Sequence, residues 1–154
     1  MGGRTFRVPC NLIRNGISLQ ISTLPDSGAH RVAFLNTKIA IRAGQLLGVN
    51  PLPLASPIFP KGYNGVAGNS ITHYMIFDIE IDGYQLAKIP FLILDIGNHD
   101  AILGDAWMDH FDVLPDLRNR KLYWRSPLKK RLSFTCILYI PRSLITTPYT
   151  QVAY

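Results

Sequence analysis

Cysteine is scarce in this chain. Cys10 and Cys136 are the only two, they lie far apart, and neither neighbours a histidine. A zinc centre needs several ligands clustered at short spacing, so no metal is expected, and no other cofactor either. Two lone thiols also suit a reducing compartment. Long apolar runs are missing too: none approaches the roughly 20 residues of a membrane-spanning helix, so no membrane partner is expected. No charged-then-apolar leader opens the chain, and Phe6 stands where a myristoylation signal after Gly2 carries Ser or Thr. Acidic residues are outnumbered, ten against sixteen basic, giving a net charge of +6. Much of that excess sits in Arg118 to Arg131, which reads as a solvated tail or linker. A nucleic-acid surface around "RSPLKKR" ranks behind it, because no binding motif or aromatic platform accompanies the charge. Gly-x-Ser-x-Gly is absent, so Ser27 with a distant histidine is no hydrolase elbow. No internal repeat is visible.

What is present points to one β-rich domain. The 154 residues suffice for a single core but not for two full lobes. Ile17, Leu19 and Ile21 alternate with polar residues as in a half-buried strand, and Asn15-Gly16 before them is a hairpin turn. Ala33-Phe34-Leu35 is short and apolar. Thr37 to Leu47 reads as a helix with Ile39, Ala43, Leu46 and Leu47 on one face, Asn36 or Thr37 capping its start and Gly48 ending it. Pro51, Pro53, Pro57 and Pro60 exclude helix and central strand, which leaves an extended connection. Gly62, Gly65 and Gly68 mark a mobile hairpin tip. Phe77, Ile79 and Ile81 form another alternating strand that turns at Asp82-Gly83. Buried runs follow at Ile89 to Leu94 and at Ala101 to Leu103, then a short helix from Asp105 to His110 and a last strand at Leu122 to Trp124. The domain spans 6–125. Residues 126–154 form a basic and then apolar tail with strand-like runs such as Phe134 to Ile140, which this reading does not place.

The stretch that carries chemistry is "LPDSGAH", Leu24 to His30. It presents an aspartate on a tight turn, then a hydroxyl, then a glycine that lets backbone or substrate pass close by. Peptide hydrolysis by carboxylates needs two acids sharing one proton, one acting as base on a water and the other donating to the carbonyl oxygen. Only one Asp-Ser-Gly run exists here. Taken alone it is a common turn. Its weight comes from the order of parts: an alternating strand before Asp26, a glycine-rich hairpin some forty residues later, then apolar-apolar-Gly and a short helix.

In that order, over roughly Phe6 to Trp124, the sequence resembles the retropepsin-type aspartic protease domain in the polyproteins of fungal Gypsy-type retrotransposons. The carriers are "DSGAHRVAFLNT", "PLPLASPIFPKGYNGVAGNSITHYM", "IPFLILDIGNHDAILGDAWMDHFDV" and "RNRKLYW". The resemblance implies an all-β closed barrel with one or two short helices, a single lobe that is active only as a homodimer. It implies Asp26 as catalytic acid and base, Ser27 as the hydroxyl bracing the paired loops, and Gly28 and Ala29 as the substrate floor. Gly62, Tyr63, Asn64, Gly65 and Val66 would form the flap, and Ile102, Leu103 and Gly104 the apolar turn behind the catalytic loop. The partners would be a second copy and an extended peptide or polyprotein segment, in the cytoplasm or within a particle.

Two departures stand out. Pro25 occupies a position where the family usually has an N–H. If that N–H is hydrogen-bonded, the loop is displaced, and a shift near 1 Å can cost on the order of 100-fold in rate. If Pro25 lies at a strand end, nothing is lost. The first reading makes the chain an inactive, protease-like dimerisation module. The second departure concerns charge. Related retroviral proteases pair an acid after the Asp-Ser/Thr-Gly-Ala run with an arginine after the apolar-apolar-Gly turn. Here His30 and Asp105 stand in those places, either as a pair of reversed polarity or as two unrelated surface residues. Asp95, Asp100, Asp109 and Asp112 read as ordinary surface acids, His73, His99 and His110 as lone polar histidines, and Trp107 and Trp124 as core.

Overall fold

A computed structural model describes residues 6–60 and 70–125, together with the backbone of 131–133. The flap positions, Cys136 and the strand-like run from Phe134 lie outside the described residues. Strands β1 (Val8–Arg14) and β2 (Ile17–Pro25) form an antiparallel hairpin with register Val8↔Thr23 to Arg14↔Ile17. Its two turn residues, Asn15 and Gly16, both take positive φ (51° and 76°), the conformation that matches the twist of a two-residue hairpin. β3 (Ala33–Asn36) leads directly into helix α1 (Thr37–Leu47). β4 (Leu52–Ile58) is followed by the long hairpin of β5 (Ile71–Ile81) and β6 (Tyr84–Leu94), turned at Asp82 and Gly83 (φ 53° and 78°). Then come β7 (Ala101–Leu103), helix α2 (Asp105–Phe111), β8 (Val113–Asp116), β9 (Lys121–Trp124) and β10 (Arg131–Ser133).

Following the hydrogen-bonded neighbours gives β6, β3, β7, β2, β1, β5, and β5 pairs back onto β6. Six strands therefore close into a barrel, with β4 added outside β5 and β10 outside β6. β8 and β9 form a separate two-stranded sheet. Alternation explains the core: β1 buries Val8, Cys10 and Leu12, and β5 buries Phe77, Ile79 and Ile81, every second residue facing inward. Trp107 of α2 is fully buried, with Phe111 5.5 Å and Trp124 5.9 Å from its ring centre. Trp124 stacks on Tyr84 at 3.9 Å, and its Nε1–H donates to Asp82 Oδ2 at 2.6 Å. These contacts fasten α2 and β9 to the barrel. No described helix is long and apolar enough to cross a membrane.

Several expectations need correction. The buried face of α1 is Ala40, Ala43 and Leu47, while Leu46 is 48% exposed and Ile39 is half-buried. At about 100° per residue Leu46 lies roughly 90° around from that stripe, too far to share its face. The proline-rich connection is in fact strand β4, paired with β5 at Leu52↔Tyr74, Pro53↔His73 and Ile58↔Ile71. Its position at the sheet edge is what lets it keep its prolines. β8, which pairs Val113–Asp116 with β9, had no counterpart in the sequence reading.

Candidate active site

Asp26 follows the last residue of β2, and the barrel holds it by the main chain. β2 runs parallel to β7 with Pro25 opposite Leu103, and β7 in turn pairs with β3. Successive residues of a strand point their N–H groups to opposite sides. Ser22 N–H donates to Asp100 Oδ2 at 2.9 Å, and Asp26 N–H donates to the Leu103 carbonyl at 2.9 Å, so even-numbered positions face β7. Pro25 therefore faces β1, whose pairing with β2 has already ended at Val8↔Thr23. Its missing donor removes no ladder bond, and Pro25 is a strand-end proline.

The turn after Asp26 bonds to itself. Ala29 N–H donates to the Asp26 carbonyl at 3.1 Å, and Gly28 N–H donates to Asp26 Oδ1 at 2.9 Å. Asp26 is half-buried, whereas Ser27 and Gly28 are exposed. A Cβ on Gly28 would sit 3.2 Å from Asp26 Oδ1, close enough to push the carboxylate from its place.

The Ile102-Leu103-Gly104 segment backs this loop. Ile102 and Leu103 are buried in β7. Gly104 N–H donates to the Val32 carbonyl at 2.8 Å, and Asp105 N–H to the Ala29 carbonyl at 2.8 Å. Gly104 has an ordinary φ of −88°, so conformation does not demand glycine here. Space does: a Cβ would lie 1.9 Å from the Arg31 carbonyl oxygen and 2.8 Å from that of Ala29.

The geometry brings His30 and Asp105 together, His30 Nδ1 lying 3.1 Å from Asp105 Oδ2. Asp105 opens α2, where a negative charge faces the favourable end of the helix dipole. With side chains 84% and 44% exposed, the pair is worth at most about 1 kcal/mol and acts as a tether between the loop and α2.

Asn36 has a role that the sequence reading only half saw. Its side-chain oxygen caps α1, accepting from Lys38 N–H at 3.1 Å. Its Nδ2 also donates to the carbonyls of Gly97 (3.0 Å) and His99 (2.9 Å), and its N–H to that of Asp100 (2.8 Å). One buried side chain thus fastens residues 95–100 to the helix start. Asp100, expected as an ordinary surface acid, is half-buried and holds β2 through Ser22. A cap signal was legible before α1, but the other two bonds reach more than sixty residues along the chain and left no local trace.

The remaining titratable groups lie elsewhere. His73 Nδ1 is 2.8 Å from Thr72 Oγ1, and the His110 ring meets Phe111 edge-on. No three His, Cys, Asp or Glu side chains among the described residues gather as metal ligands. Burial in β1, with Glu80 adding to it, pushes the Cys10 thiol up to about 12. A cavity of about 670 Å³ opens between α1 and the β5–β6 hairpin, lined by Ile41, Gly44, Val49, Met75 and Ile93 among others, and no residue of the Asp26 loop reaches it.

Among solved structures, the chain is similar to the retroviral protease-like domain of Ddi1 from Leishmania major, with a TM-score of 0.55 and 17% identity, covering 81% of this chain and 88% of that one. A looser similarity, TM-score 0.41 and 13% identity, joins it to Lpg0085 of Legionella pneumophila, a protein with unknown function, over 70% of this chain and 86% of that one. No family model matches the sequence, and no curated protein matches it. At this identity the Ddi1 similarity defines a fold: a retropepsin-like closed barrel, mostly β with two short helices.

Proposed function

We propose that the chain is an aspartic endopeptidase that works as a homodimer, each copy supplying one Asp26. The observation that carries this reading is the presentation of Asp26: half-buried, on a self-bonded Asp-Ser-Gly-Ala turn, at a strand end backed by the tight Gly104 contact. A two-fold axis is the simplest way to duplicate a single acid. One carboxylate takes a proton from water as its oxygen adds to the scissile carbonyl carbon. The other, protonated, donates to the carbonyl oxygen. Collapse of the tetrahedral intermediate breaks the C–N bond as the leaving nitrogen takes up a proton. Two acids that close cannot both ionise, so their titration belongs to the pair.

In this reading Ser27 braces the two loops, Gly28 and Ala29 form the floor, and Gly62 to Val66 close over an extended peptide lying as a strand. The protease domain spans 6–125, with 126–154 as its tail. The substrates are junctions in a retrotransposon-type polyprotein, cut in the cytoplasm or within a particle.

A surface fit for a second copy supports the dimer. In the β8–β9 hairpin, Leu114 and Tyr123 are cross-strand partners on one face, 51% and 58% exposed. Together the two side chains offer an apolar contact to another chain.

The test is cleavage of a diverse peptide library from pH 4 to 7 by the purified chain and by Asp26→Asn, with the solution mass of each recorded. Cleavage by a dimer, abolished in Asp26→Asn, is the expected result. A folded dimer that cuts nothing would instead identify an inactive protease-like module.

A further inference from the structure

Among the described residues, Arg31 is the only arginine or lysine that is not solvent-exposed. It lies five residues beyond Asp26, on the loop that carries the acid, and its carbonyl is pressed against Gly104. The carboxylate that reaches this loop, Asp105, is engaged by His30 and not by Arg31. Among the described residues, none forms a hydrogen bond or ion pair with the Arg31 guanidinium. A half-buried cation has given up part of its hydration and ordinarily regains it from an acid. Arg7, Arg14 and Arg42, being exposed, keep their water and need no such partner.

We infer that Arg31 receives a carboxylate of the peptide substrate, an Asp or Glu side chain close to the scissile bond, and so makes acidic segments the preferred substrates. This rests on the endopeptidase reading above. The planar guanidinium matches a carboxylate with two parallel hydrogen bonds, which a neutral amide cannot reproduce with the same charge assistance. Arg31 is thereby a specificity-determining residue, distinct from the acid that does the chemistry.

The experiment compares kcat/KM for matched peptides that differ only by Glu against Gln within three residues of the cleaved bond. Glu should be favoured about tenfold or more, the scale of a charge-assisted hydrogen bond. In Arg31→Gln the ratio should collapse toward one, in Arg31→Lys part of it should survive, and in Arg31→Glu the preference should shift to Lys-containing peptides. In the unaltered chain, rising salt should shrink the Glu preference, a readout that needs no variant to fold. Cleavage without regard to charge, or a Glu preference that persists in Arg31→Gln, would overturn this inference and leave the endopeptidase reading standing. An unaltered chain that cuts no peptide would overturn both.

Discussion

Two loops meet at β7, and they are fastened by different means. Residues 26–32 are held by main-chain bonds: Asp26 to Leu103, Ala29 to Asp26, Gly104 to Val32 and Asp105 to Ala29. Residues 95–100 have main-chain bonds from Asn36 N–H to Asp100 and from His99 N–H to Ile96, and lean further on side chains: Asn36 Nδ2 reaches Gly97 and His99, Asp95 Oδ1 accepts from Gly97 N–H at 3.1 Å, and Asp100 Oδ2 accepts from Ser22. A loop bonded through its backbone tolerates changes of side chain but not the addition of atoms between its strands. A loop hung on one asparagine is sensitive at that residue. Asp26 sits on the first kind, so its position is set by the barrel through the main chain.

The comparison can be broken hardest at Gly104. In Gly104→Ala the new Cβ would collide with two carbonyl oxygens that cannot swing away without unzipping the loop. A loss of about 3 kcal/mol or more is expected in denaturant unfolding. Cys10 then serves as a reporter for the barrel. With Cys136→Ser as background, the native Cys10 thiol should alkylate far more slowly than a free thiol, because burial pushes it up to about 12. Gly104→Ala should expose it.

Asn36→Ala comes next. It strips the α1 cap and two carbonyl partners at once, with an expected loss of about 2–3 kcal/mol. Cys10 should stay protected, since the damage is confined to one loop. Asn36→Asp keeps the acceptor for Lys38 N–H but loses both donors, and so separates cap from clamp.

The Cys10 shift also fixes a pH trend. The ordinary value of the thiol is 9.0, as in the unfolded chain, and burial pushes it up to about 12 in the fold, so the unfolded chain binds fewer protons between those values. This contribution to stability is intact below pH 9 and declines as pH rises from 9 toward 12. Cys10→Ala should flatten that decline in alkaline unfolding curves.

Gly28→Ala should sharpen the contrast from the side of function. Its Cβ has only the 3.2 Å contact with Asp26 Oδ1 to relieve, so stability should fall by about 1 kcal/mol or less. Peptide cleavage should drop by about 10- to 100-fold, because the carboxylate moves. His30→Ala should have the smallest effect, less than about 1 kcal/mol, since the pair it removes is exposed.

What the sequence made legible was local. Asn-Gly and Asp-Gly turns, the alternation in β2 and β5, and the bounds of α1 follow from rules spanning a few residues, and all appear in the fold. The Asp-Ser-Gly turn was legible for the same reason. Two features were not. The double duty of Asn36 and the anchoring role of Asp100 depend on closure of the barrel, which brings residues sixty and more positions apart into hydrogen-bond range. Pro25 could be weighed only once the side that its nitrogen faces was known, and that follows from register rather than from residue type. Strand β4 was read only as an extended connection, because prolines exclude a central strand and residue type does not show that Pro53 and Pro57 stand in an edge strand.

The central claim is that Asp26 is half of an acid pair completed by a second copy. Mixing the unaltered chain with Asp26→Asn at constant total concentration, above the dimer dissociation constant, tests it directly. If each active site needs two aspartates from two chains, an equal mixture should retain about one quarter of the full activity, and activity should follow the square of the unaltered fraction. Activity that falls in simple proportion, to about one half in the equal mixture, would mean that one chain works alone, and would contradict the account.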